Sequence, residues 1–279
     1  MADVQLPSFR RPPVVETVLG VQFDRIPGFS NAHLGAFWKH LIAQWLGSTA
    51  EEAWTDVSDA PLIEPVFERF EPEQSWNVEK FSLRLTQDPA CRLRIRNARR
   101  DAMIQVQNGR LHYNWIGQPG QDYRRYATVR PAFDRVSAAF REFLRAEKLP
   151  DIRPNQWEVT YVNHIPKGSV WTSPADWGAL FVGLPGNWKE PTAVRLESFA
   201  GSWHWQIPPQ RGRLHIDVKH AKINGNQPEE MLRLTLTARG PVDEAVSVGD
   251  GLDLGREVIV LTFRDITSAD AHRFWELES

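Results

Sequence analysis

The residues with the most evident chemical use fall into two sets. The first is a row of long polar side chains: Arg92, Arg94 and Arg96 in "CRLRIRN", Gln105 and Gln107 in "AMIQVQ", and Arg110, His112 and Asn114 in "RLHYNW". Alternate residues of a strand point to the same side, so these eight share one face and leave Leu93, Ile95, Ile104, Val106, Leu111, Tyr113 and Trp115 on the other. A guanidinium presents a fixed fork of donors matched to carboxylate and phosphate. Three of them on one strand therefore have the chemistry of a surface for a protein segment or a small anionic ligand, with a nucleic-acid backbone as a further option. The plainer alternative is a solvated face, which any antiparallel sheet backed by helices on one side requires.

The second set is Glu16, Glu158, Asn163 and His164. Glu16 and Glu158 lie near the starts of two similar apolar stretches, "VETVLGVQFDRIP" and "WEVTYVNHIP". If those stretches are related by duplication, the carboxylates form a pseudo-symmetric pair suited to general acid–base work, as in a hydrolase or transferase with its site at the seam. Asn163 and His164 close the second stretch at a strand end, where active-site residues can lie and where satisfied polar residues are commoner. A metal is not expected. His215 and Asp217 share one side of a strand while His220 points to the other, and the single cysteine, Cys91, cannot build a zinc cage or a disulfide within the chain. No phosphate-cradling loop, dinucleotide glycine pattern or nucleophile elbow occurs, so no cofactor is expected either. Binding is the leading expectation, ahead of catalysis.

The bulk numbers narrow this further. With 33 Lys+Arg against 35 Asp+Glu, the 279-residue chain is not a globally basic nucleic-acid binder. The charge is nevertheless uneven: residues 50–80 are acid-rich, and residues 84–130 carry ten Arg. Pairing of the two stretches across the fold is the simplest expectation. The N-terminus lacks the apolar core of a signal peptide, and no run approaches the roughly 18 apolar residues of a membrane span, so a cytoplasmic protein without membrane contact is expected. The 12 Trp read mainly as core fillers.

The elements that must position these residues follow from periodicity. Residues 14–23 read as a strand. Ser30 or Asn31 can cap a helix with Leu34, Phe37, Trp38, Leu41, Ile42 and Trp45 on one face and Gly47 at its end. An acidic loop with Pro61, Pro65 and Pro72 and a short edge strand precedes strands in 76–87, 91–97, 102–107 and 110–117, with "NARRD" and Asn108-Gly109 as hairpin turns. Thr128 can cap a second helix striped by Val129, Phe133, Val136, Phe140, Phe143 and Leu144. The order then repeats: a strand at 156–165, a short helix after Ser173, strands in 193–207, 213–223 and 231–240, and helical spacing from 252 to 277, with Thr267 and Asp270 as a capping-box start. The fold class expected is α+β, with tandem β-α-β-β-β-β-α-like halves, 1–151 and 152–279, packed as one pseudo-symmetric unit with helices on one face of an antiparallel sheet.

Five segments, "RPPVVETVLGVQF", "IQVQNGRLHYNW", "YRRYATVRPAF", "EVTYVNHI" and "LDLGREVIVLTFRDITSADAHRFW", resemble a sporadically distributed bacterial family of uncharacterised proteins of about 250 residues. The resemblance covers nearly the whole chain and carries no catalytic residues. Its patchy distribution implies, by analogy, an accessory component of a phage-defence or toxin–antitoxin locus. The element order separately resembles the saddle of the TATA-box-binding protein, although outward Phe pairs for wedging a minor groove are not identifiable.

Overall fold

A computed structural model describes residues 6–44, 53–68, 91–118, 121–185, 193–209, 211–223 and 229–278. The described residues are mixed α+β and form a nine-stranded antiparallel sheet. In chain order the elements are β1 (Val14–Phe23), α1 (Asn31–Gln44), β2 (Trp54–Ala60), β3 (Arg92–Asn97), β4 (Ala102–Gln107), β5 (Arg110–Ile116), α2 (Tyr126–Ala146), β6 (Pro154–Pro166), α3 (Trp177–Leu180), β7 (Ala200–Ile207), β8 (Gly212–Ile223), β9 (Glu229–Pro241), α4 (Val248–Ile266) and α5 (Ala269–Phe274). Across the sheet the strands run β2-β3-β4-β5-β1-β6-β9-β8-β7, so β1 and β6 are central neighbours.

Period-two alternation divides each strand between two environments. Leu19, Val21, Ile95, Ile104, Val106, Leu111, Trp157, Val159, Ile216, Leu234 and Leu236 turn to the helices and are all but inaccessible to water. Phe37 of α1 meets Phe140 and Phe143 of α2 edge-on or tilted, and Phe23 of β1 packs on Phe140, which anchors both helices to one sheet face. On the other flank α4 presents Gly251 and Gly255 to Trp157; a Cβ at Gly251 would stand 2.2 Å from the indole. The glycines let the helix backbone approach a full indole ring, and their weak helix propensity, about 1 kcal/mol each, is the cost.

Several local expectations need correction. The second helix starts at Tyr126, with Arg125 at the N-cap and no side-chain cap, so Thr128 lies inside it. Thr267 is the C-cap of α4 and its hydroxyl donates back to Phe263 O at 2.7 Å; the cap of α5 is Ser268, whose Oγ accepts from Ala271 N. Strand pairing in the 193–207 stretch begins only at Ala200. The strand expected in 76–87, together with Trp45 and Gly47, lies outside the described residues. The hairpin at Asn108-Gly109 forms as expected, with Gly109 at a φ of 110° that favours glycine. Among the described residues six tryptophans, Trp54, Trp115, Trp157, Trp171, Trp177 and Trp275, are buried in the core. No helix among the described residues is long and apolar enough to cross a membrane.

Candidate functional site

The face of the sheet away from the helices carries the row read from the sequence, but solvent does not bathe it. Gln105, Gln107, Arg110, His112 and Asn114 are all buried, and Arg92, Arg94 and Arg96 are half-buried. Alternation predicted the face correctly. What it does not reveal is cover supplied from elsewhere in the chain.

Part of that cover is residues 61–68, which leave the end of β2 and pass across the strands. Pro61 and Pro65 keep this stretch extended and remove two amide donors, so the remaining backbone groups must find side chains rather than a neighbouring strand. Gln107 on β4 serves Ile63 twice: its Oε1 accepts from Ile63 N at 3.0 Å and its Nε2 donates to Ile63 O at 2.8 Å. On β5, Arg110 Nη2 donates to Glu64 O at 3.4 Å. On β1, Gln22 Oε1 accepts from Val66 N at 3.0 Å and from Arg110 Nη2 at 2.7 Å. Gln22 in turn donates to Asn155 Oδ1 at 3.0 Å. Side chains from three adjacent strands thus read main-chain groups of one crossing segment.

At Glu68 this stretch meets a carboxylate clamp. Glu68 Oε1 accepts from Arg239 Nε at 2.5 Å and from His215 Nε2 at 2.8 Å, and Arg213 Nη1 stands 3.4 Å from Oε2. The Glu68 side chain is only 4% exposed, so these charge-assisted bonds form away from bulk water, where such contacts are strongest. Burial pushes the Glu68 carboxyl up, but hydrogen bonds from His215 and Arg239 outweigh it and hold the group below its ordinary range. On its other side His215 Nδ1 meets His204 Nδ1 at 2.6 Å, so a second imidazole is hydrogen-bonded to the clamp.

Arg239 links this clamp to the centre of the sheet, where its Nη1 lies 3.6 Å from Glu158 Oε2. Glu158 also faces Arg110 Nη1 at 3.4 Å and His112 Nε2 at 3.7 Å. Burial lowers the His112 pKa to about 4, against the pull of Glu158 and with help from Arg110 and Arg92, so the imidazole is neutral at pH 7. Burial likewise lowers Arg110. Towards the other end, Gln105 Nε2 donates to Asn114 Oδ1 at 2.9 Å, and Asn114 Nδ2 donates to Glu16 Oε1 at 2.6 Å. Beyond this network lies the arginine row, in which each Nε is buried without a hydrogen-bond partner among the described residues. Burial, with Arg94 and Arg110 nearby, lowers Arg92.

The second candidate set is not brought together. In the β1–β6 register Glu16 is opposite Val162 and Glu158 is opposite Gly20. Four residues separate the two positions along the strands, roughly 13 Å at about 3.3 Å per residue, beyond the roughly 5–10 Å over which paired carboxylates flank one bond. Asn163 and His164 are successive strand residues and point to opposite faces. Asn163 turns to the helices, is 1% exposed and donates Nδ2 to Leu234 O at 3.1 Å. His164 is half-buried beside Arg233, and burial followed by that charge lowers its pKa. Among the described residues no three His, Cys, Asp or Glu side chains group to hold a metal ion.

The expected neutralisation of the Arg-rich stretch by the acid-rich one is realised in part. Asp56 lies 3.6 Å from Arg100, whereas Glu68 passes over the near strands to β8 and β9. Gln22, Glu68, Arg213, His215 and Arg239 complete the site. Period-two alternation along β8 places Arg213 and His215 on this face, but nothing in the sequence marks Glu68 among its many acidic neighbours.

Comparison with known proteins gives no family model and no curated sequence that matches this chain.

Proposed function

We propose that the chain is a non-enzymatic binding protein whose polar sheet face holds an extended, acidic polypeptide segment, with residues 61–68 acting as a built-in occupant. The observation that carries this reading is the paired contact of Gln107 with both main-chain groups of Ile63, followed five residues on by the Arg239–His215–Arg213 clamp on Glu68. Amide side chains that read backbone accept any sequence in extended form, and a carboxylate clamp selects acidic ones. Arg92, Arg94 and Arg96 extend the same face with further cationic donors. Glu16 and Glu158, set within the face, disfavour a polyphosphate partner.

The tandem arrangement of 1–151 and 152–279 belongs to this reading. It is supported by the central β1–β6 pair, flanked by β5 and β9, and by Glu16 and Glu158 each standing two residues before the opposed Val18 and Thr160. A saddle like that of the TATA-box-binding protein is the proposed architecture, with five strands from the first half and four from the second. On the family resemblance alone, the proposed setting is the bacterial cytoplasm, as an accessory component of a defence or toxin–antitoxin locus.

The test replaces residues 61–68 with a Gly/Ser segment of equal length and titrates a labelled peptide of sequence PLIEPVFE, with blocked termini, by fluorescence anisotropy. The folded variant should bind saturably and the intact chain more weakly, and Arg239→Met should abolish binding. No binding to the folded variant, equal binding of a peptide with both Glu changed to Lys, or preference for a single-stranded DNA oligomer contradicts the reading.

A further inference from the structure

On the opposite side of the sheet a cavity of about 410 Å³ opens between the start of α2, the middle of α4 and the N-terminal segment 6–14. Its floor is Val14 of β1, Tyr161 and Asn163 of β6 and Leu236 of β9. Phe9, Ile259 and Phe263 supply apolar wall. Tyr123, Tyr126 and Tyr161, three of the four tyrosines of the chain, line the cavity together with Arg125 and Arg256. Among the described residues neither guanidinium pairs with a carboxylate. Arg125 donates to Ser8 Oγ at 3.2 Å and lies over the Tyr123 ring, while Arg256 lies over the Tyr126 ring. At the floor, Asn163 Oδ1 is buried and accepts no hydrogen bond from the described residues, although its amide nitrogen is satisfied by Leu234 O.

We infer that this cavity binds a small organic monoanion with an apolar body, its carboxylate or like group between Arg125 and Arg256 and a hydrogen-bond donor reaching Asn163. Two cations over aromatic rings, without a counter-ion among the described residues, are arranged to receive a negative group. A buried, unmatched acceptor at the end of an apolar chamber is stabilised when a ligand N–H or O–H meets it. The chamber has the size and the mixture of apolar wall with a few convergent polar groups that small-molecule sites show. Nothing in this inference depends on the polar face across the sheet.

The probe is 8-anilinonaphthalene-1-sulfonate, which carries an anionic head, an aromatic body and one N–H donor, titrated by fluorescence into the intact chain. Saturable binding at one site is expected. Decanoate should displace the probe and 1-decanol should not, because only the acid satisfies the two arginines. Arg256→Met, which keeps the bulk of the stem, should raise the Kd roughly tenfold, and Ile259→Trp should fill the chamber and abolish binding with the circular dichroism spectrum unchanged. Absence of saturable binding, equal displacement by the alcohol, or a Kd indifferent to both substitutions overturns the assignment.

Discussion

The imidazole of His112 lies against the backbone of Gly20 on the adjacent central strand, so close that a Cβ on Gly20 would stand 2.4 Å from His112 Cδ2. The missing side chain on β1 is what lets an imidazole from β5 reach over the strand towards Glu158 on β6, the strand beyond. Gly20→Ala therefore forces the ring aside in a packed, polar interior. The expected loss is about 1–3 kcal/mol in urea unfolding. In the His112→Ala background the same change should cost much less, and the double-mutant cycle measures the coupling.

His112 also sets a pH dependence. Its folded pKa, about 4, lies below the ordinary 6.5, so the unfolded chain takes up a proton over this interval that the folded chain does not. Stability from this group is complete above pH 6.5 and declines as pH falls towards 4. At about 1.4 kcal/mol per unit, the loss amounts to roughly 3 kcal/mol between pH 7 and pH 4. Unfolding curves at pH 7, 5.5 and 4.5 should show a shallower decline for His112→Gln than for the unmodified chain. Parallel declines would mean that the imidazole is already charged in the fold.

Removing the Glu68 charge leaves the half-buried Arg239, His215 and Arg213 around a neutral group. Glu68→Gln should cost about 1–3 kcal/mol, the usual range for charged hydrogen bonds lost from a buried partner. Because the clamp fastens the stretch at Glu68, amide exchange at Ile63 and Val66 should quicken in this variant while exchange within β1 and β6 stays slow.

Gly251→Ala gives a prediction against propensity. Alanine favours a helix by about 1 kcal/mol over glycine, yet its Cβ would meet Trp157 Cδ1 at 2.2 Å. The variant should be destabilised in thermal unfolding. A raised Tm would show that α4 does not press on Trp157 as described.

Much of this architecture was legible because two-residue alternation and helical spacing are properties of local sequence. Leu93, Ile95, Ile104, Val106, Leu111, Tyr113 and Trp115 all enter the core as their spacing demanded. Their polar neighbours were placed on the correct face for the same reason. The environment of that face was not legible, since burial of Gln107 depends on Ile63, 44 residues distant, and the Glu68 clamp joins residues 147 and 171 positions apart. Proline and acid in "PLIEPVFE" read equally as an exposed loop, and only the tertiary path distinguishes a segment that crosses a sheet. The cap at Thr267 was misplaced by one residue because Ser268 offers the same hydroxyl chemistry. Asn163 and His164 looked like one site in the sequence, and strand alternation sends them to opposite faces.

The most direct measurement of the central claim is amide hydrogen exchange at Ile63 and Val66 in the intact chain, with and without excess peptide PLIEPVFE. If the polar face holds an extended acidic segment, added peptide competes with residues 61–68 and both amides exchange faster, with no change for a peptide bearing Lys in place of both Glu. Exchange at Ile63 and Val66 that is indifferent to the acidic peptide, while that peptide binds elsewhere or not at all, would contradict the account.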